Sequence, residues 1–104
     1  MSEFTGVTVV KKANVYFDGK VTSRTVVFPD GTKKTLGIML PGDYEFGTSK
    51  KEIMTVTSGR LTVKLPGQTA WQDFPKGSTF TVAANQKFQL KVAQDTAYVC
   101  LYLD

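Results

Sequence analysis

Turn residues cut this chain into short pieces, and that punctuation constrains its fold more than any other feature. Asp18-Gly19, Pro29-Asp30-Gly31, Pro41-Gly42, Ser58-Gly59, Pro66-Gly67 and Pro75-Lys76-Gly77 recur along the chain. Proline presets a negative φ and glycine accepts a positive one, the two needs of a tight turn. Between the turns lie runs in which apolar and polar residues alternate. Strand signals at intervals of about 8–12 residues mark a β-sandwich or barrel. No stretch carries helical periodicity. The expected strands are 6–11, 20–28, 34–40, 43–48, 52–58, 60–65, 71–74, 78–83, 87–92 and 97–103. With no linker, low-complexity segment or repeat, residues 1–104 are expected to form one all-β domain.

Composition narrows the function classes. Hydrophobic residues make up 41% of the chain, enough for a core. Thirteen lysines and arginines against nine acidic residues give a net charge of +4. The lysines fall in separate pairs (Lys11-Lys12, Lys33-Lys34, Lys50-Lys51). That spread suits a solvated surface or attraction for a phosphate-bearing small molecule, and no nucleic-acid partner is expected. Cys100 is the single cysteine, so no intrachain disulfide can form. It lies in the apolar run 97–103 and reads as a small buried hydrophobe, because the chain has no histidine to activate a thiol. With no signal peptide and no apolar run near the ~20 residues of a membrane span, a cytoplasmic protein without membrane attachment is expected.

Alternation sorts side chains onto faces. Leu61, Val63 and Leu65 share one face; Arg60, Thr62 and Lys64 share the other. Phe88, Leu90 and Val92 likewise point inward. In 52–58, Glu52, Met54, Val56 and Ser58 form the more apolar set, which carries Glu52 toward the interior. Asp43 and Glu45 flank Tyr44 on the opposite, solvated face.

Two motifs resemble those of the cupins, small double-sheet jelly-roll barrels (the double-stranded β-helix). Glu52 and Gly59 match the end of the first motif, and Pro75-Lys76-Gly77 opens the second. In metal-binding cupins histidines surround these residues. Here the three histidine positions fall on Phe46, Thr48 and Phe80. The asparagine of the second motif is displaced to Asn85, and its first glycine is Thr69. Transition-metal sites need several imidazole or thiolate donors, so no metal is expected. What remains is either a pocket with aromatic walls and one carboxylate, suited to stacking a nucleobase, or a barrel packed solid.

At finer grain, nearly the whole chain resembles the small cupins known as pyrimidine/purine nucleoside phosphorylases. The resemblance rests on Tyr16-Phe17-Asp18-Gly19-Lys20-Val21, the segment 37–46, Glu52-Ile53-Met54-Thr55-Val56, Ser58-Gly59 and Trp71. It implies a broad-specificity enzyme, a pentosyltransferase that splits purine and pyrimidine ribonucleosides with phosphate into free base and ribose 1-phosphate. It also implies a homodimer, with inorganic phosphate as co-substrate and no cofactor. A non-catalytic, metal-free cupin that binds a nucleoside or sugar is the alternative.

Chemistry assigns the roles. Phosphorolysis needs a held phosphate, a stabilised cation-like sugar and a proton or hydrogen bond for the departing base. Glu52 is the candidate catalytic residue, because burial raises a carboxyl pKa. Arg24, whose fork binds two oxygens, and Lys34 are the candidates for phosphate, with Lys20 and Lys33 as further cations. Phe46, Thr48, Met54, Phe80, Tyr44 and Tyr102 are the candidate substrate walls, with Tyr16 and Tyr98 able to shape the same pocket. Trp71 is expected to be a packing anchor.

Overall fold

A computed structural model describes residues 3–103. Eleven strands follow in order: β1 (Thr8–Val9), β2 (Asn14–Tyr16), β3 (Val21–Val27), β4 (Lys33–Met39), β5 (Gly42–Gly47), β6 (Lys51–Ser58), β7 (Arg60–Lys64), β8 (Gln72–Pro75), β9 (Thr79–Val82), β10 (Lys87–Val92) and β11 (Thr96–Leu103). The only helical piece among the described residues is a 3₁₀ turn at Phe17–Gly19. No helix there is long and apolar enough to cross a membrane.

The strands form two antiparallel sheets. The larger has seven strands in the order β1-β3-β4-β11-β6-β9, with β2 also on β3; the smaller runs β5-β10-β7-β8. Their apolar faces meet in one core that includes Val21, Met39, Val56, Leu61, Val63, Phe88, Leu90 and Val92. This is the all-β cupin jelly roll that the motifs imply. Nine of the ten expected strands have close counterparts. The expected strand 6–11 is only Thr8–Val9, and Asn14–Tyr16 adds a strand that alternation in three residues cannot announce.

Register in the larger sheet places the side chains that matter. One inward row runs Ser23, Gly37, Tyr98, Val56. The next runs Thr25, Thr35, Cys100, Met54, Phe80. A third joins Tyr102, Glu52 and Val82. Gly37 is needed in the first row, because a Cβ there would fall on the Tyr98 ring.

Candidate active site

The two sheets offer different walls. The inner face of the smaller sheet is apolar, with Tyr44, Phe46, Leu61, Val63, Phe88 and Leu90. The larger sheet carries the polar chemistry in its three rows: Ser23 and Thr35 are buried beside Tyr98, Cys100, Tyr102 and Glu52. Any reaction in the interior therefore uses groups from one wall and packs its substrate against the other.

Glu52 is half-buried, as the alternation in β6 requires. The Cys100 thiol donates to its Oε1 at 3.4 Å. Burial raises the Glu52 pKa above the ordinary carboxyl value, and the thiol hydrogen bond partly offsets this. Cys100, Tyr98 and Tyr102 are all held above their usual ranges, first by burial and then by neighbouring negative charge that includes Glu52. They stay protonated near neutrality and serve as donors. Cys100 is thus more than a small apolar residue, since its thiol orients the carboxyl. It is not a thiolate nucleophile.

Neutral groups extend the network. Tyr102 Oη and Thr35 Oγ1 lie 3.2 Å apart. The Asn14 amide donates to Ser23 Oγ at 3.2 Å and Thr25 Oγ1 at 3.4 Å. The aromatic wall opposite is a chain of rings. Phe46 meets Tyr16 edge-on at 5.8 Å and Phe17 at 5.3 Å, and stacks on Phe88 at 6.0 Å.

The structure sets Glu52 beside Tyr102 on one wall, with the half-buried Phe46 on the other. Several sequence candidates stand elsewhere or are already engaged. Met54 and Phe80 are only 3% and 5% exposed and fill the core, Phe80 against Phe74 at 4.6 Å. The Thr48 hydroxyl donates to Ala83 O at 2.7 Å and accepts the Gln86 N–H at 3.1 Å, stapling the turn where Asn85 takes φ +61°. The Tyr44 hydroxyl donates to Leu40 O at 2.6 Å, closing the Pro41-Gly42 turn. Trp71 is an exterior residue rather than a packing anchor: 38% exposed, with Lys91 Nζ 4.4 Å above its ring.

The largest correction concerns the phosphate candidates. Ser23 and Thr35 point inward, so their neighbours Arg24 and Lys34 point out. Arg24 donates to Lys11 O at 3.3 Å on the outer face. The Lys34 ammonium lies over Phe4 and Phe28 at 5.0 and 5.2 Å. Neither is brought to Glu52. The residues that sequence reasoning passed over are Asn14, Ser23, Thr25, Thr35 and Cys100. A signal for some of them existed, because Ser23 with Thr25 and Thr35 with Gly37 form small, polar strand faces, which leave room inside a barrel.

Hollows mark the surface. One of about 770 Å³ opens at the polar end, lined by Asn14, Tyr16, Thr25, Thr35, Tyr102 and the 30–33 and 49–50 segments. Another of about 900 Å³ lies outside the larger sheet, along Leu36, Ile38 and Val99. Among the described residues, no three of His, Cys, Asp and Glu gather as a metal site.

Comparison with known proteins bears on this site. A family model described as pyrimidine/purine nucleoside phosphorylase matches residues 11–102. A protein of that name from Syntrophotalea carbinolica is 57% identical over 103 residues, covering 99% of each chain. A crystal structure of a protein of unknown function from Acinetobacter sp. ADP1 superposes with a TM-score of 0.96 at 41% identity, covering 99% of this chain and 100% of that one. The Clostridium difficile EutQ protein shares the fold alone, with a TM-score of 0.66 at 15% identity over 79% of this chain and 67% of that one. Matched over nearly its whole length in sequence and in fold, the chain belongs to the pyrimidine/purine nucleoside phosphorylase family.

Proposed function

We propose that this chain is a nucleoside phosphorylase of broad specificity, converting purine and pyrimidine ribonucleosides and phosphate into free base and ribose 1-phosphate. Beyond the family relationship, one observation carries the reading: a half-buried carboxyl with a raised pKa, Glu52, set among protonated donors and across from aromatic rings. In the reaction the bond from the anomeric carbon to the base nitrogen breaks, and its electron pair leaves with the base. A phosphate oxygen forms the new bond to that carbon. Glu52 supplies a proton or hydrogen bond to the departing base and is reprotonated from the entering hydrogen phosphate. Tyr102 lines the sugar side, and Phe46 stacks the base. Broad specificity follows from this wall, because rings grip every base face alike, whereas discrimination needs polar groups matched to a base edge.

The direct test mixes the protein with uridine or inosine and phosphate, then separates base from nucleoside. Base release that requires phosphate is expected. Release equal to a phosphate-free control would leave the alternative, a non-catalytic nucleoside binder. That alternative is favoured by the outward placement of Arg24 and Lys34. The donor set lacks imidazole entirely, so a chelator is expected to leave turnover within about twofold. A loss restored by added metal would contradict a metal-independent site.

We further propose that the homodimer the resemblance implies forms through the outer face of the larger sheet. Leu36 and Ile38 are about two-fifths exposed there, at 40% and 42%, and line the 900 Å³ hollow with Val99. A second copy of the same apolar surface would cover them with two-fold symmetry. Leu36→Glu with Ile38→Glu is expected to halve the mass measured by light scattering after gel filtration. An unchanged dimer mass would move the interface elsewhere.

A further inference from the structure

We propose that the polar hollow of about 770 Å³ seats the sugar of a nucleoside, with Asn14 and Thr25 hydrogen-bonding its hydroxyls at C2′ and C3′. As the seat of a reacting ribose it rests on the phosphorylase reading; as a sugar site it does not. Hydroxyls and amides are costly wall material inside a barrel, because each needs a partner once water leaves. Here they cluster. Ser23 and Thr35 are buried, and Asn14 and Thr25 are half-buried. Backbone pairing at Asn14, Val15 and Tyr16 already joins β2 to β3, so the cluster is not needed to hold those strands together.

Several of the cluster's hydrogens are already committed. The Asn14 amide spends its two N–H groups on Ser23 Oγ at 3.2 Å and Thr25 Oγ1 at 3.4 Å. What Asn14 then offers is Oδ1, an acceptor. Thr25 Oγ1 accepts from the amide and keeps its own hydrogen to donate. Thr35 Oγ1 and Tyr102 Oη lie 3.2 Å apart, so only one of their two hydroxyl hydrogens is used between them. Asn14, Thr25, Thr35 and Tyr102 all line the hollow. An acceptor flanked by hydroxyl donors complements a vicinal diol, in which each hydroxyl both donates and accepts. The same amide oxygen would repel a phosphate oxygen.

Position links the hollow to the reaction. Tyr102 lines it and is the cross-strand partner of Glu52. Tyr16, another lining residue, packs edge-on against Phe46 at 5.8 Å. A ribose held by Asn14 and Thr25 therefore sits beside both the carboxyl wall and the aromatic wall that takes its base.

The test crosses uridine, 2′-deoxyuridine and 3′-deoxyuridine with wild type, Asn14→Leu and Thr25→Val. In wild type, loss of at least one of the two hydroxyls is expected to lower kcat/KM at least about tenfold. Each variant should lose about tenfold on uridine but less than about twofold on the analogue that lacks its hydroxyl partner, since that bond is already missing. A merely structural role would lower both substrates alike, and that result would overturn the inference. So would a wild type that turns over uridine and both deoxy analogues equally well. The analogues change the ligand and not the chain, so this arm does not depend on either variant folding. Calorimetric titration with uridine, without phosphate, reads the site without turnover. Uridine binding by an inactive wild type that is lost in Asn14→Leu would support the sugar seat and sink the phosphorylase reading. Uridine binding unchanged in Asn14→Leu would overturn the sugar seat. A wild type that is inactive and binds no uridine would sink both.

Discussion

Glu52→Gln is expected to lower kcat at least about tenfold, a loss of ~1.4 kcal/mol in transition-state stabilisation, while leaving the fold as stable as wild type or more so. The amide keeps the shape and a hydrogen bond but cannot deliver a proton, and positioned proton donors typically contribute about 10²–10⁴-fold. The stability half of the expectation comes from the direction of the pKa shift. Burial holds the Glu52 pKa above its ordinary value of 4.5, so the folded state binds this proton more tightly than the unfolded chain. Between the ordinary and the raised value, the folded state carries the extra proton, and stability falls as pH rises through that window. Above the window the carboxylate is ionised in both states and the penalty is complete. Glutamine removes it. The melting temperature of the variant should equal or exceed wild type at pH 7, with the gap closing at pH values below the window. Activity should follow the proton in the same sense: wild-type kcat falls as pH rises through the raised pKa, and that limb should vanish in the variant. Turnover close to wild type would remove Glu52 from the mechanism. A lower melting temperature would make it a structural anchor instead.

Much of the fold was legible because period-two alternation and turn chemistry are local signals. Leu61 with Val63, Phe88 with Leu90, and Glu52 with Met54 and Val56 all face inward as their strands dictate. The site was legible only in part, since its decisive facts are non-local. Alternation separates Ser23 from Arg24, but which of them faces the core depends on how β3 pairs with β4 and on what covers each side. The cupin spacing singles out Phe46, Thr48 and Phe80, yet spacing says nothing about what a side chain already binds. Thr48 meets its acceptor Ala83 across 35 positions, and Cys100 reaches Glu52 across 48. Asn14 was missed for a different reason, since a three-residue strand has too few positions to show a period.

Gly59→Ala is expected to cost about 2–5 kcal/mol and to damage the candidate site along with the fold. Gly59 closes the Ser58-Gly59 turn between β6 and β7 at φ +82°. A side chain in that conformation costs roughly 1–2 kcal/mol. Space adds a second term. A Cβ would lie 2.6 Å from Thr96 Oγ1, 2.7 Å from Asp95 O and 2.9 Å from Thr96 Cα. Two of those three atoms are backbone, and Thr96 is fully buried, its hydroxyl accepting the Arg60 N–H at 3.2 Å and donating to Arg60 O at 2.9 Å. Overpacking of this kind typically costs about 1–3 kcal/mol. Gly67 supplies the internal comparison, because its φ is +74° with nothing within 4 Å of its Cβ position. Gly67→Ala should therefore cost only the conformational part, and the difference between the two variants in urea denaturation measures the clash. The clash reaches the candidate site through register. β11 shifts its pairing with β6 between Ala97 and Tyr98, one residue beyond Thr96, and from there Tyr98, Cys100 and Tyr102 fall opposite Val56, Met54 and Glu52. Pushing Thr96 aside disturbs the start of that ladder, so the alanine variant should lose activity even at temperatures where it stays folded. Equal costs at Gly59 and Gly67 would show that Thr96 yields freely and that the turn does not set the register on which Glu52 depends.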